Sequence, residues 1–308
     1  MTGLPDGAYI RDDLRGDPFA CDTVILDVDG VLVDVSRSFR EVIRRTATHV
    51  QRLMGVADPW TPSPADISAF KRAGGFNDDI DMSIAMTAIG AGGRGDEVMR
   101  LAHGVEEAGS GLRGLREVAP DLPRVEGRLV LRVFDEYYWG RRDYLSVFAE
   151  PAQHVDSDSG LIDAERPLVG VDFVNQLRAT GVERVALITG RTPVELSTAL
   201  RRLRWANVEI AAVVTGDMVR KPDPVCLDIV FEQCKSTAAL YVGDVRDDWE
   251  LVRRFRAERH PPPADVRCVL VGVEEEMAVY REMGVDATVP RTQHVTALVR
   301  EWRFTPSE

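Results

Sequence analysis

The sequence predicts an α/β protein: a parallel sheet whose first strand is followed by an inserted, mostly helical domain. Three observations carry this expectation. From Pro167 onward, short apolar runs alternate with helical stretches of about 10 to 15 residues, the pattern of parallel strands joined by crossover helices. The run VILDV at 24–28 is apolar apart from Asp27 and stops near Gly30, which suits a buried strand better than a helix. Between these regions, residues 36–165 repeat their apolar positions mainly at helical spacing.

Residues 1–19 mix Gly, Pro and Asp with few apolar side chains and read as a loosely ordered lead-in. The first strand spans 22–28. Phe39, Val42, Ile43, Thr46, Ala47, Val50 and Leu53 then fall on one helical face, with Ser36 as the expected cap and Gly55 as the stop. After a proline-rich break at 59–64, a short helix leads to the Gly74-Gly75 turn, and a second helix runs from about Asp79 to Ile89. Asn77, Asp78, Asp79 and Asp81 crowd the start of that helix, where its dipole favours acids and a capping role suffices. The glycine-rich stretch 90–95 has no strand before it and no Lys-Ser or Lys-Thr after it, so it reads as a turn and not as a P-loop. Residues 96–118 are broadly helical, and 125–148 form a helix that opens around Trp139-Gly140, with Tyr138, Arg141, Arg142 and Tyr144 expected in core and rim packing ahead of the alternative, the lining of a substrate cleft.

The regular part follows: helix 168–179, strand 184–188, helix 193–204, strand 210–214, helix 225–234, strand 238–244 and helix 247–258. A proline break at 261–263, strand 266–271, helix 274–283, strand 286–289 and helix 293–302 close the pattern. The expected domains are therefore a core of residues 20–35 and 166–308, and a helical insertion of residues 36–165.

Several strand ends carry polar residues that a sheet does not need: Asp27 and Asp29, Thr189, Asp244 with Asp247 and Asp248, and Lys221 beyond the Thr215 turn. In an open α/β sheet that edge is where ligands bind. Asp27, Asp244 and Asp248, with the carbonyl of Asp29, offer hard oxygen ligands suited to Mg²⁺. Lys221 is a point cation able to neutralise a nucleophile and a transferred group. Thr189 supplies a hydroxyl, and the backbone amides after it, beginning at Gly190, lie near a helix start and form an anion seat. Lys71 and Arg72, just before the Gly74-Gly75 turn, suit a lid that contacts phosphate.

The segments DVDGVLVD (27–34), LITGR (187–191), VRKPDP (219–224) and YVGDVRDD (241–248) resemble the four ordered motifs of the haloacid dehalogenase superfamily. The likeness covers a Rossmann-like core, and the insertion sits where that superfamily carries its helical C1 cap. KRAGGFNDDID (71–81) is also similar, less strongly, to a segment of one cap subgroup.

The resemblance implies Asp27 as the nucleophile, Asp29 as the acid that protonates the leaving oxygen, and Thr189 and Lys221 holding the phosphoryl group. It also implies Asp244 and Asp248 at Mg²⁺. The expected activity is that of a Mg²⁺-dependent phosphomonoester hydrolase on a small phosphorylated metabolite, working through an aspartyl-phosphate. A phosphomutase on the same scaffold, or a non-catalytic binding or regulatory protein retaining the fold, are the alternatives. Val245 departs from the Ser or Thr common after the metal-holding aspartate, which removes a hydroxyl but no ligand.

A net charge of -12 argues against a nucleic-acid or anionic-membrane binder. The four cysteines form no CxxC or zinc spacing, the first twenty residues contain no apolar signal core, and no run approaches membrane-spanning length. A cytoplasmic protein is therefore expected, either a monomer or a homodimer formed through its helical insertion.

Overall fold

The computed structural model describes residues 4–76, 78–109, 111–259 and 264–304. The chain divides into two compact units, Met1–Asp34 with Arg166–Glu308, and Val35–Glu165. The first unit opens with β1 (Tyr9–Ile10), β2 (Thr23–Leu26) and β3 (Val33–Asp34).

The second unit consists, among the described residues, of helices and their connections: α1 (Phe39–Leu53), α2 (Pro64–Ala73), α3 (Asp79–Ala91), α4 (Val98–Glu107), α5 (Gly111–Val118) and α6 (Gly127–Phe148). Its core joins Val42, Ile43 and Ala47 of α1 to Met82, Met86 and Ile89 of α3 and Phe134 and Tyr138 of α6. The helix starts follow ordinary capping chemistry. The Ser63 hydroxyl accepts from the Asp66 amide, while the Asp66 carboxylate accepts from the Ser63 amide at 2.7 Å. The Asp78 carboxylate caps α3 by accepting from the Ile80 amide. Asn77, expected in the same cap, lies outside the described residues.

The cap expected at Ser36 falls instead at Ser38, whose hydroxyl turns toward Glu165 and leaves the helix amides to other partners. Within α6, Gly140 leaves helical geometry with φ 71°. A side chain there would also strike the backbone at Gly160, at 2.3 Å, so this opening requires glycine. The neighbouring residues are committed to packing and pairing within the unit: Tyr138 is buried and donates to Glu165, Arg141 pairs with Asp158, and Arg142 with Asp143.

The chain re-enters the first unit through β4 (Arg166–Pro167), which pairs antiparallel with β3. This two-stranded ribbon ends just before the stretch 168–179 that was expected to be a helix. The Leu168 amide donates to the Leu32 carbonyl, so helix α7 starts only at Phe173 and ends at Arg178.

The remaining elements are β5 (Arg184–Ile188), α8 (Pro193–Arg202), β6 (Ala212–Val214), α9 (Val225–Cys234), β7 (Ala238–Gly243), α10 (Arg246–Glu258), β8 (Asp265–Val271), α11 (Glu274–Glu282), β9 (Ala287–Val289) and α12 (Val295–Phe304). Pro261 to Pro263 lie outside the described residues, as does His260. Arg253 and Arg254 of the preceding basic stretch pair with Glu250, Arg256 with Asp286 and Arg259 with Asp228, so intramolecular pairs occupy these arginines.

The main sheet, among the described residues, has the order β1-β9-β8-β7-β2-β5-β6, with every pairing parallel except β1 with β9. Strand β1 corrects the expectation of a loosely ordered lead-in over residues 1–19. Tyr9 and Ile10 close the sheet edge, and Ile10 and Phe19 are buried. Two strand residues suffice because the ladder supplies the hydrogen bonds and Phe19 packs edge-on against Trp302, contacts that local composition does not reveal.

One sheet face, including Ile25, Ala186, Ile188 and Tyr241, packs in a single core with Leu227 and Val230 of α9 and Leu251 and Phe255 of α10. Because strand side chains alternate, this arrangement buries the central strands β2 and β7 between helices and makes them largely apolar, Thr23 at the start of β2 excepted.

Candidate active site

The parallel register builds the site. Leu26 lies opposite Leu187 on one side and Val242 on the other, and Ile188 lies opposite Val214. One or two residues beyond those pairs, Asp27, Thr189, Thr215 and Asp244 emerge along the carboxyl edge of adjacent strands. Neighbouring parallel strands stand about 4.8 Å apart, so the side chains at their ends meet.

After β2 the chain folds tightly: the Val33 and Leu32 amides both donate to the Val28 carbonyl, and the Gly30 amide donates to the Val33 carbonyl. Gly30 has φ 70°, and a Cβ there would lie 1.8 Å from Asp244 Oδ2. The site therefore needs glycine at this position for both backbone conformation and room. Gly30→Ala is expected to displace the Asp244 carboxylate and weaken divalent-cation binding at least tenfold while the protein stays folded. Calorimetric titration with Mg²⁺ checks this; unchanged affinity would show that Asp244 tolerates the intrusion.

Asp27 is 4% exposed and takes a hydrogen bond from the Lys221 ammonium at 2.7 Å. The same ammonium lies 2.8 Å from Asp248 Oδ1, which also accepts from the Tyr241 hydroxyl at 2.7 Å. Asp248 Oδ2 accepts from the Asp244 and Val245 amides at 3.0 and 3.1 Å. A carboxylate offers about four acceptor positions. Asp248 thus fills them with protein donors, fixing Lys221 and the turn that carries Asp244.

Carboxylate oxygens of Asp27, Asp244 and Asp248 lie within 4.8 Å of one another. Three negative charges against the one ammonium leave two in excess when all are ionised, and Asp29 is balanced separately by Arg191. The strain shows in the proton affinities. Burial first of all, with Asp248 and Asp29 nearby, pushes Asp27 up to about 7 even though Lys221 pulls it down. Burial, followed by the charges of Asp27 and Asp248, raises Asp244 well above the carboxylate range. For Lys221, burial opposes the charge, but Asp248 and Asp27 together outweigh it and hold the ammonium protonated. A divalent cation with hard oxygen preference fits this donor set and its excess charge. Asp27, Asp244 and the main-chain carbonyl of Asp29 would hold it, with Asp248 behind them.

Asp29 stands apart from that cluster. Its carboxylate accepts from Arg191 Nε at 2.8 Å, and Arg191 Nη2 lies 2.7 Å from the same oxygen. Arg191 is 2% exposed, so the carboxylate is the counter-charge that its burial demands. The side chain of Asp29 is therefore committed to an arginine, and the group of Asp29 expected at the metal is its main-chain carbonyl. Sequence reasoning did not assign Arg191; its signal is a charged residue just past a Thr-Gly strand end, one more polar group at an edge where packing requires none. Tyr241 was missed as well, because an aromatic residue within a buried strand reads as core.

Thr189 is buried, and its hydroxyl oxygen accepts from the Arg191 amide at 3.2 Å, which leaves the hydroxyl hydrogen to donate elsewhere. Gly190 follows it in the loop before α8. Lys71 and Arg72 belong to the second unit, where Lys71 lies 3.3 Å from Asp79 and Arg72 is exposed.

A parallel sheet with an acidic cluster and a buried lysine on its carboxyl edge, interrupted after β2 by a helical unit, is a Rossmann-like core with an inserted helical domain. A family model described as haloacid dehalogenase-like hydrolase matches residues 21–250, and the chain belongs to that family, in the phosphatase branch that carries a cap domain. Among solved structures it is similar to phosphatase Tt82 from Thermococcus thioreducens, at 28% identity and TM-score 0.62, over 82% of this chain and 93% of that one. A protein from Lactobacillus delbrueckii subsp. bulgaricus, provisionally described as a phosphoglycolate phosphatase, shares the fold at 15% identity and TM-score 0.54, over 90% of this chain and 98% of that one. A comparison with curated proteins returned no significant match.

Proposed function

We propose that this enzyme is a Mg²⁺-dependent phosphomonoester hydrolase that acts on a small organic phosphate through an aspartyl-phosphate on Asp27. The observation that carries this reading is the separation of two aspartates two residues apart. Asp27 sits in the acidic cluster against Lys221, and Asp29 is held outside it by Arg191. Different surroundings for two carboxylates are what divide nucleophile from acid–base work. The similarity to the Thermococcus phosphatase supports the same chemistry.

In this reading an Asp27 carboxylate oxygen forms a bond to phosphorus as the ester P–O bond breaks. The departing oxygen takes its proton from Asp29, which carries it on Oδ2 while Arg191 holds Oδ1. A water molecule then attacks the aspartyl-phosphate, giving its proton back to Asp29 and releasing phosphate and free Asp27. Splitting the displacement in two lowers each barrier. Lys221 neutralises Asp27 before attack and the phosphoryl oxygens afterwards. The Thr189 hydroxyl and the Gly190 amide donate to those oxygens, charge stabilisation that is usually the largest contribution to catalysis. Arg191 keeps Asp29 oriented, and Asp248 keeps Lys221 in place. Mg²⁺, when bound, supplies further positive charge to the phosphoryl group. Lys71 and Arg72 are candidates for recognising the substrate.

Phosphate release from a panel of phosphorylated metabolites, with Mg²⁺ and with chelator, tests the reading. Turnover that disappears on chelation is expected. Isomerised product without free phosphate would instead identify a mutase, and neither product nor metal binding would identify a non-catalytic relative.

Proton linkage adds a second expectation. Between the ordinary carboxylate value of 3.8 and about 7, folded Asp27 holds a proton that the unfolded chain has released. Its contribution to the stability of the metal-free protein therefore falls as pH rises through that window. A cation that displaces the proton should bind more tightly as pH rises. The gain in Tm on adding Mg²⁺ is expected to be larger at pH 7.5 than at pH 5; equal gains would contradict this assignment of the ligands.

A cytoplasmic location is part of the proposal. It is supported by four cysteines that are all buried and unpaired, and among the described residues no helix is long and apolar enough to cross a membrane.

A further inference from the structure

The second unit contains a cavity of about 460 Å³ lined by none of the residues assigned above. It lies among α3, α5 and the segment that leads to α6. Ile84, Ala88, Leu112 and Leu115 form its apolar wall, and Arg116 and Arg124 line it as well. Its volume falls within the roughly 300–1,000 Å³ of small-molecule sites.

The charge at this cavity runs against that of the protein. The chain carries a net charge of -12, yet no carboxylate lines the cavity and two guanidinium groups do. Among the described residues, seven of the unit's other thirteen arginines form ion pairs. Arg44 and Arg45 pair with Glu41, Arg132 with Glu136, and Arg94 with Asp121, the acid beside the lining segment. Arg116 and Arg124 are exposed and make no ion pair among the described residues. An apolar wall favours an aliphatic body, and two unpaired guanidinium groups favour an oxyanion, because arginine and carboxylate match in a two-bond geometry.

We propose that this cavity is a binding site for a small aliphatic carboxylate, with its chain against Ile84, Leu112 and Leu115 and its head between Arg116 and Arg124. The site is independent of the phosphoryl-transfer residues, and its test does not rely on turnover.

Octanoate is the probe, with 1-octanol and acetate as the uncharged and chainless comparisons. The shifts of the Ile84, Leu112 and Leu115 methyl signals are followed by NMR in the full-length protein. Saturable shifts with octanoate are expected, with binding of 1-octanol and acetate at least tenfold weaker. The R116E/R124E double variant changes only exposed positions, so the fold should persist. It should bind octanoate at least tenfold more weakly and 1-octanol as before. Ala88→Trp, which fills the cavity, should abolish binding of both. The proposal is overturned if octanoate produces no saturable shift, if 1-octanol binds as tightly, or if the double variant binds octanoate like the parent. It is equally overturned if sedimentation shows a dimer that R116E/R124E dissociates and octanoate does not, since the cavity would then belong to a second copy of the chain.

Discussion

Replacing Asp27 by Asn is expected to lower phosphate release at least about a thousandfold, with the melting temperature held or raised. The amide has nearly the shape of the carboxylate, and its oxygen still accepts from Lys221, 2.7 Å away in the parent. It cannot form the aspartyl-phosphate. Where all three carboxylates are ionised, the substitution also takes one charge from a cluster with two in excess, so the metal-free fold loses a source of repulsion. Single-turnover assays with acid quench provide the check: the parent should accumulate phosphorylated protein and the variant should not. A variant that turns over at the parental rate would remove Asp27 from the chemistry and leave it as a buried partner of Lys221.

Lys221→Met is expected to have the other large effect, and on two readouts at once. The ammonium touches both Asp27 and Asp248 and is largely enclosed, with its side chain 13% exposed. Removing one partner of a buried ion pair typically costs about 3–5 kcal/mol, because the remaining charge stays buried without compensation. Here two carboxylates lose their cation, though their proton affinities can rise to absorb part of that cost. The metal-free variant should therefore melt well below the parent. Saturating Mg²⁺ should recover much of the stability, since a cation bound to Asp27 and Asp244 replaces the missing positive charge. Activity should stay at least about a hundredfold down even then, because the phosphoryl oxygens lose a donor. Calorimetry and turnover on the same preparations check this pair of outcomes. A variant as stable and as active as the parent would mean that Asp248 and Asp27 are neutralised some other way.

The two substitutions probe different parts of one arrangement. In the proposed reaction Asp27 supplies the reacting oxygen, whereas Lys221 makes it tolerable to place that oxygen beside two other carboxylates. Asp248 connects them from behind, through Lys221 on one oxygen and the Asp244 turn on the other. This is why a residue whose acceptor positions are taken by protein donors still belongs to the site.

The order of strands and helices in the first unit was readable because burial on both faces forces apolar runs, and several of those runs end in a polar residue that packing does not require. Asp27, Thr189 and Asp244 stood out on that ground, as did Lys221 once the turn after Thr215 was recognised. The helical insertion was readable from apolar spacing alone. What resisted reading were features made by pairing across long sequence distances. Strand β1 is two residues long and exists because β9 accepts it, 277 residues away at the Ala287 partner of Ile10. Likewise the Leu168 amide donates to the Leu32 carbonyl, 136 residues away, and the helix expected from 168 starts at Phe173.

Periodicity and composition are local properties, and they were enough to show which residue types stand at the strand ends and that a helical unit follows the first strand. How the charges are shared follows from the folded arrangement alone. It gave Asp29 to Arg191, placed Tyr241 and Lys221 on one oxygen of Asp248, and brought Asp244 so close to Gly30 that no side chain fits there. Those assignments depend on distances between chain segments up to about two hundred residues apart, and the register of a sheet, not the character of any one residue, sets such distances.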